Sequence, residues 1–400
     1  MKIDKNPSKH SSRIESSLVR HDAEPKSATE PLAPPIEISA VYRVADLDRI
    51  DALYESREAG FIYARDSHPG AVRLAKKLAT LEGAERGLVC GSGMAAEAAI
   101  FLALASRGDS VAIADGLYGR TVKLVVGELP RFGIAHKIFD PTDPSSLARV
   151  VDEQTRLIFV ESISNPLLRV ADLPGLAEIA AKNGSIFVVD NTFAPLICRP
   201  IEHGADLVVH SLTKLIGGHS DLILGGLAGS SELITRCESI ASTFGLTGNA
   251  FDSRLALRGL ATLAIRSRRS CESALELAER LSRRDDIKAV HYPGLPSSAE
   301  HDRAKRMLVN GFGNMITIDL ETRDRANMFI KNLEHIPFAP SLGDVVTTLS
   351  HPATTSHRGQ SAEQWARQGI TPGLVRLSIG LEDPADLFDE IDNSLRTQAV

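Results

Sequence analysis

The stretch Gly204–Asp221 reads GADLVVHSLTKLIGGHSD, and shortly before it Ile186–Asp190 reads IFVVD. Each contains an apolar, β-branched run of strand length that breaks off into small and polar residues. Runs apolar almost throughout suit strands covered on both faces, as in a parallel sheet sandwiched between helices. Asp190 closes one run, while Ser211, Thr213 and Lys214 follow the other. Open α/β sheets bind ligands outside the carboxyl ends of their strands, so an acid and an amine at two such ends can face one ligand.

The same texture extends outward. Strands are expected at residues 87–90, 110–114, 136–139, 157–161, 186–190, 206–210 and 222–226, alternating with helical stretches; this is an α/β unit with a mainly parallel seven-stranded sheet. The connection from His210 to Leu222 is too short for a crossover helix, so the last strand should run antiparallel. Beyond residue 250 the pattern changes to a long helical stretch over 251–284, strands at 289–292, 315–320 and 375–379, and a closing helix over 384–396. The expected division is an N-terminal arm (1–60), a large domain (61–250) and a smaller C-terminal α+β domain (251–400). The arm is rich in Ser, Pro and charge, with Pro31, Pro34 and Pro35 opposing regular structure. It reads equally as a loose terminus or as a segment that wraps a partner subunit, for which Ile36, Ile38, Val41 and Tyr42 offer apolar anchors.

Bulk composition narrows the function. The 400 residues are 43% hydrophobic, 24% charged and 5% aromatic, which excludes a disordered or fibrous chain. That length exceeds the ~250–300 residues at which one core stops growing. A net charge of −6 gives no field to draw nucleic acid or an anionic membrane, so a small-molecule partner is expected. Cys90, Cys198, Cys237 and Cys271 form no CxxC pair, so neither a metal site nor a disulfide framework is expected. No apolar run approaches the ~18 residues of a membrane span, and the N-terminus has no apolar signal core, which points to the cytoplasm.

Two motifs carry the chemistry. Gly91–Ala96 (GSGMAA) follows a strand and opens a helix, a cradle for phosphate. With Asp115 at the end of the next strand it also matches a dinucleotide-binding turn, so a dehydrogenase is one rival reading, and a catalytically silent scaffold another. A dehydrogenase leaves Lys214 and Asp190 unexplained. A lysine amine that burial can discharge, a carboxylate able to face a pyridinium nitrogen, and a phosphate cup with the Ser211 and Thr213 hydroxyls together suit pyridoxal 5′-phosphate (PLP).

The chain resembles the Cys/Met-metabolism family of PLP enzymes: cystathionine γ-synthase, cystathionine γ- and β-lyases, methionine γ-lyase and O-acetylhomoserine sulfhydrylase. The likeness spans nearly the whole length. It is carried by YAR (Tyr63–Arg65), LEGAE (Leu81–Glu85), GSGMAA, YGRT (Tyr118–Thr121), ESISNP (Glu161–Pro166), VVDNTF (Val188–Phe193), GADLVVHSLTKLIGGHSD, LRGLATL (Leu257–Leu263), HYPGL (His291–Leu295), SLGD, HPATTSH and VRLSIGLE (Val375–Glu382). The resemblance implies fold type I of the PLP-dependent transferases, aspartate aminotransferase-like. It makes Lys214 the Schiff-base lysine and proton carrier, Asp190 the partner of the pyridinium N–H, and Tyr118 the ring-stacking residue, its hydroxyl a candidate catalytic acid/base. Ser92, Gly93 and Met94, with Ser211 and Thr213, would hold the phosphate. Tyr63 and Arg65 would reach it from a neighbouring subunit, so the implied active unit is a homodimer, assembled further into a homotetramer. Arg376 would grip the substrate α-carboxylate, with Asn165 and Ser341 assisting. Glu161 and His219 are expected to be structural residues of the site wall.

Within the family three positions stand out. Val346 occupies the place of a glutamate common five residues after the serine of SLG. Arg120 replaces the Gly usual in YGxT, or the Cys of methionine γ-lyases, and sets a cation near the substrate tail. Residues 66–69 read DSHP where relatives end in NPT; His68 reads as a local loop residue. The implied activity is γ-replacement on an activated homoserine ester, in the manner of cystathionine γ-synthase. The alternatives are C–S elimination by a cystathionine γ- or β-lyase, O-acetylhomoserine sulfhydrylation, and methionine γ-lyase activity.

Overall fold

A computed structural model describes residues 28–359 and 361–396. Residues 28–35 fall in one unit and contain no helix or strand; Ile36 onward forms a second, compact unit that holds every element below. Its larger sheet has seven strands: β1 (Arg86–Cys90), β2 (Ser110–Ala114), β3 (Ala135–Phe139), β4 (Thr155–Glu161), β5 (Ile186–Asp190), β6 (Leu207–Ser211) and β7 (Gly225–Gly229). Their order is β1-β7-β6-β5-β4-β2-β3. All are mutually parallel except β7, which pairs antiparallel with both β1 and β6. The central strands are buried on both faces, with Leu157, Ile158, Phe159, Phe187, Val188 and Val189 wholly inaccessible. That double cover explains why their sequences show no alternation.

β7 lies three residues beyond its expected position. The backbone of Leu224 is engaged instead by the loop after β6: its carbonyl accepts the Leu212 N–H at 2.9 Å and its N–H reaches Thr213 Oγ1 at 3.2 Å. β7 is then glycine-rich of necessity, since a Cβ on Gly225 would lie 2.0 Å from the Ser92 carbonyl. The close approach brings the Ser92–Gly93 turn against the end of β6.

The second sheet has four antiparallel strands, β8 (Ala289–His291), β9 (Met315–Asp319), β10 (Thr348–Ser350) and β11 (Leu374–Ser378), in the order β10-β11-β9-β8. Its core packs Ile316, Ile318, Val375 and Leu377 against the helices Leu263–Leu281 and Pro384–Arg396. Three expectations are corrected here. The short strand β10 was not foreseen. The stretch taken as an extended arm contains a helix, Leu47–Tyr54, capped by the Asp46 side chain on the Arg49 N–H; residues 1–27 of that arm lie outside the described part. The long helical stretch is two helices, Ala250–Leu260 and Leu263–Leu281. At their junction the buried Arg266 guanidinium donates to the carbonyls of Gly259, Leu215 and Ile216. It thereby ties the helix break to the loop that carries Lys214.

Candidate functional site

The carboxyl ends of β4, β5 and β6 supply the site floor, as an open α/β sheet requires. Lys214 follows β6 on a turn closed by its own N–H to the Ser211 carbonyl. Its Nζ donates to Ser341 Oγ at 3.0 Å. The Ser341 carbonyl accepts Arg376 Nη2 at 3.0 Å, and Arg376 Nη1 donates to Asn165 Oδ1 at 2.7 Å. One hydrogen-bonded chain thus joins Lys214, Ser341, Arg376 and Asn165, residues distant in sequence. Burial, with the Arg376 charge second, holds the Lys214 amine below the ordinary lysine range. Arg376, from β11, is 5% exposed, its pKa pushed down by burial to about 10, and its Nε has no partner. A buried guanidinium with unused donors is a ready clamp for a carboxylate.

Asp190 closes β5. Its Oδ1 accepts the Thr192 N–H at 2.8 Å, no cation pairs with it among the described residues, and burial raises its pKa. Behind it a fully buried network links Ser162, Asn191, Glu82 and His210, with His210 Nε2 2.6 Å from Glu82 Oε1. Because Asn191 also donates to that Glu82 oxygen, the histidine nitrogen facing it is the protonated one.

The phosphate end is equally specific. Ser92 caps the helix Gly93–Leu104, its Oγ accepting the Ala95 N–H at 3.0 Å. The N–H groups of Gly93 and Met94 are therefore the first-turn donors left over. A Cβ on Gly93 would meet Ser211 Cβ at 3.0 Å, so the turn and the β6 end are in contact. Ser92 Oγ accepts in the cap and keeps its O–H free to donate, as does Ser211, whereas Thr213 Oγ1 both donates to and accepts from the Leu224 backbone.

Other expected residues lie apart. Tyr63 and Arg65 are exposed and contact each other, the guanidinium 5.2 Å from the ring. Arg120 and Val346 are exposed too. His68 is a helix N-cap, its Nδ1 accepting the Ala71 N–H, and Asp66 accepts the Ser242 hydroxyl. His219 bonds locally to the Gly217 carbonyl. The Asp115 carboxylate, central to the dinucleotide reading, accepts Gln368 Nε2 at 3.1 Å.

Three groups escaped sequence reasoning in whole or part. Glu161, read as wall, is 8% exposed, and its Oε1 accepts the Tyr118 N–H at 2.7 Å. Glu97 is buried on the otherwise apolar helix GMAAEAAIFLAL, where a lone acid is itself a signal. His357, at the end of HPATTSH, is buried, and burial and the Arg376 charge hold its pKa down at about 4.

A sequence model of the Cys/Met metabolism PLP-dependent enzymes matches residues 15–396. The chain is 35% identical to a cystathionine beta-lyase of Bacillus subtilis (strain 168), over 97% of this chain and 98% of that one. Among solved structures, a cystathionine gamma synthase from Xanthomonas oryzae pv. oryzae, in complex with aminoacrylate and cysteine, superimposes with a TM-score of 0.88 at 35% identity, covering 94% and 95% of the two chains. A Campylobacter jejuni protein that carries a pyridoxyl-lysine phosphate gives a TM-score of 0.88 at 31% identity, covering 96% and 99%.

The residues present fit PLP. Asp190 is a buried carboxylate short of a cationic partner, which a pyridinium N–H supplies. Lys214 has an amine whose pKa burial lowers. Gly93 and Met94 offer unpaired helix N-terminal donors to a phosphate.

Proposed function

The chain belongs to the family of Cys/Met metabolism PLP-dependent enzymes, and from that premise we propose that it catalyses transsulfuration by γ-replacement, joining a thiol to an activated homoserine ester. When bound, PLP supplies a protonated pyridine ring that withdraws electrons from the amino acid carbon skeleton. Asp190, ionised, keeps that ring protonated. Arg376 and Asn165 hold the substrate α-carboxylate, which fixes Cα beside Lys214. The Lys214 amine, in its uncharged form, takes the proton from Cα and, once it has passed that proton on, takes a second from Cβ, so that the carboxylate or phosphate of the ester leaves from Cγ with the C–O bond pair. Ser341, hydrogen-bonded to Nζ, keeps the amine aimed during both transfers. Tyr118 would stack on the ring; the incoming thiol gives up its proton as it bonds to Cγ, and Lys214 returns protons to Cβ and Cα.

Arg120 supports an anionic substrate tail, that of an activated ester or the distal carboxylate of cystathionine. It is exposed, has no hydrogen bond or ion pair among the described residues, and lies two residues from Tyr118. A free guanidinium there suits the anionic tail of an O-succinyl or O-phospho ester. We further propose that Tyr63 and Arg65 serve the site of a second copy, in a homodimer or a dimer of dimers.

The test offers the purified holoenzyme O-succinyl-, O-acetyl- and O-phosphohomoserine with cysteine or sulfide, and cystathionine alone. Cystathionine formation from an ester and cysteine should outpace release of 2-oxobutyrate or pyruvate from cystathionine. The reverse ranking makes the protein a lyase, and preference for sulfide a sulfhydrylase.

A further inference from the structure

The turn that carries Tyr118 rests on two buried carboxyls. Glu161 Oε1 accepts the Tyr118 N–H at 2.7 Å, and Glu97 Oε1 accepts the Thr121 hydroxyl at 2.9 Å. Both residues are over nine-tenths buried, and the Oε2 atom of each has no hydrogen-bond partner. No Lys, Arg or His nitrogen among the described residues pairs with either. Glu161 is also the register partner of Asp190 on adjacent parallel strands, so the two side chains leave the sheet on the same face.

Three carboxyls therefore share one dry region. The cation around it is Arg376, at longer range from Glu161; the His210 imidazole, hydrogen-bonded to Glu82, lies toward Asp190. Lys214, its pKa lowered by burial, His357, held down at about 4, and the Tyr118 phenol complete the titratable groups near the region. Three adjacent negative charges cannot be sustained there by so few donors, and protons go to the carboxyls with the weakest support. Asp190 has a backbone N–H and the nearby imidazole. Glu97 has a single hydroxyl donor, and Glu161 has the Tyr118 N–H with the Asn165 N–H in weaker support.

We propose that Glu97 and Glu161 are neutral carboxylic acids at neutral pH that position Tyr118 through the backbone of its turn, leaving Asp190 as the one ionised carboxylate of the three. Burial and the Asp190 charge act in that direction, raising Glu97 well above the ordinary range and Glu161 to about 8. A neutral Glu161 still accepts the Tyr118 N–H through its carbonyl oxygen. It also leaves the Arg376 charge free for a substrate carboxylate. The positioning role rests on the reading of Tyr118 as the ring-stacking residue; the protonation states do not.

Infrared difference spectra of holoenzyme and the variants Glu97→Gln and Glu161→Gln test the protons directly. Each glutamine variant should lack one protonated-carboxyl C=O band at neutral pH, and the Glu161 band should fade as the pH passes about 8. Because glutamine is uncharged like the acid it replaces, the pH midpoint of the cofactor's visible absorbance should stay within about 0.3 unit of the parent. Glu161→Ala, which removes the acceptor under Tyr118, should change the visible circular dichroism of the bound cofactor and lower kcat about tenfold. Absence of a lost band in either glutamine variant overturns the proposal, as does a midpoint shift of about one unit or more. If Glu161→Ala does not fold, the glutamine pair still decides. Loss of both bands and an unmoved midpoint, in protein that turns over no homoserine ester, would support the proposal while overturning the activity reading.

Discussion

At the floor of the site, each charged group is buried or half-buried and tied into its neighbours: Lys214 to Ser341, Arg376 to Asn165 and Ser341, Asp190 to Thr192. At the rim the side chains stand in solvent. Tyr118 is 39% exposed, Tyr63 44% and Val346 45%, while Arg120 has no partner among the described residues. A buried, pre-oriented charge acts in low dielectric and carries chemistry; an exposed one is screened and biases which tail is accepted. Substitutions on the floor should therefore cost orders of magnitude, and those on the rim small factors.

Lys214→Ala should show the largest effect. With no amine to move protons at Cα and Cβ, kcat should fall by ~10³ or more, and the borohydride-reducible yellow absorbance should be lost. Single-turnover assays with an amino-acid substrate check this; retained turnover would remove Lys214 from the mechanism. Arg376→Lys comes next. The variant keeps a charge but loses the planar fork that meets both Asn165 and a carboxylate, so KM for the amino acid should rise about 10–100-fold while the cofactor spectrum changes little. An unchanged KM would mean that the carboxylate binds elsewhere.

The third effect is one of stability. Glu161 is raised from 4.5 to about 8, so the folded chain holds this proton more tightly than the unfolded one. Its contribution is present in full below the unfolded value, is lost as pH rises through the window between 4.5 and about 8, and is flat beyond. The slope from this one group is at most ~1.4 kcal/mol per pH unit. Urea midpoints of the parent and Glu161→Gln across that window should converge at its acid end, and the variant should become relatively more stable toward its alkaline end. Parallel profiles would mean that Glu161 is ionised throughout.

Much of the floor was legible because its motifs sit on strands whose ends can be read from β-branched runs. Ile186–Asp190 and the closing helix Pro384–Arg396 fall on the expected residues. What escaped depends on tertiary context. β10 has three residues, too few for a periodicity, and exists because β11 lies beside it. β7 begins at Gly225 because the backbone of Leu224 is spent on the Lys214 loop. The helix break at Ala261–Thr262 depends on Arg266 reaching loop carbonyls far away in sequence. The support under Tyr118 was hidden for a similar reason. That Glu161 faces Asp190 follows from strand register, and its bond to Tyr118 from a turn between β2 and β3. The rim was readable only as departures from a family pattern, at Arg120 and Val346, since exposed side chains leave no packing signature.

The smallest effect belongs to Arg120. If its guanidinium meets the anionic tail of the ester, the contact resembles an exposed ion pair, worth ~0.2–1 kcal/mol, or a factor of roughly 1.5–5. Arg120→Gly should therefore lower kcat/KM for O-succinyl- or O-phosphohomoserine by about that factor and leave the neutral O-acetyl ester unaffected. The preference of the parent for anionic esters should also shrink with added salt, because solvent-exposed charges are screened over ~10 Å at ~0.1 M ionic strength. In the variant that salt dependence should vanish. A loss of ~100-fold or more would place Arg120 on the floor, desolvated by substrate or by a second subunit, and the division between floor and rim would have to be redrawn around it.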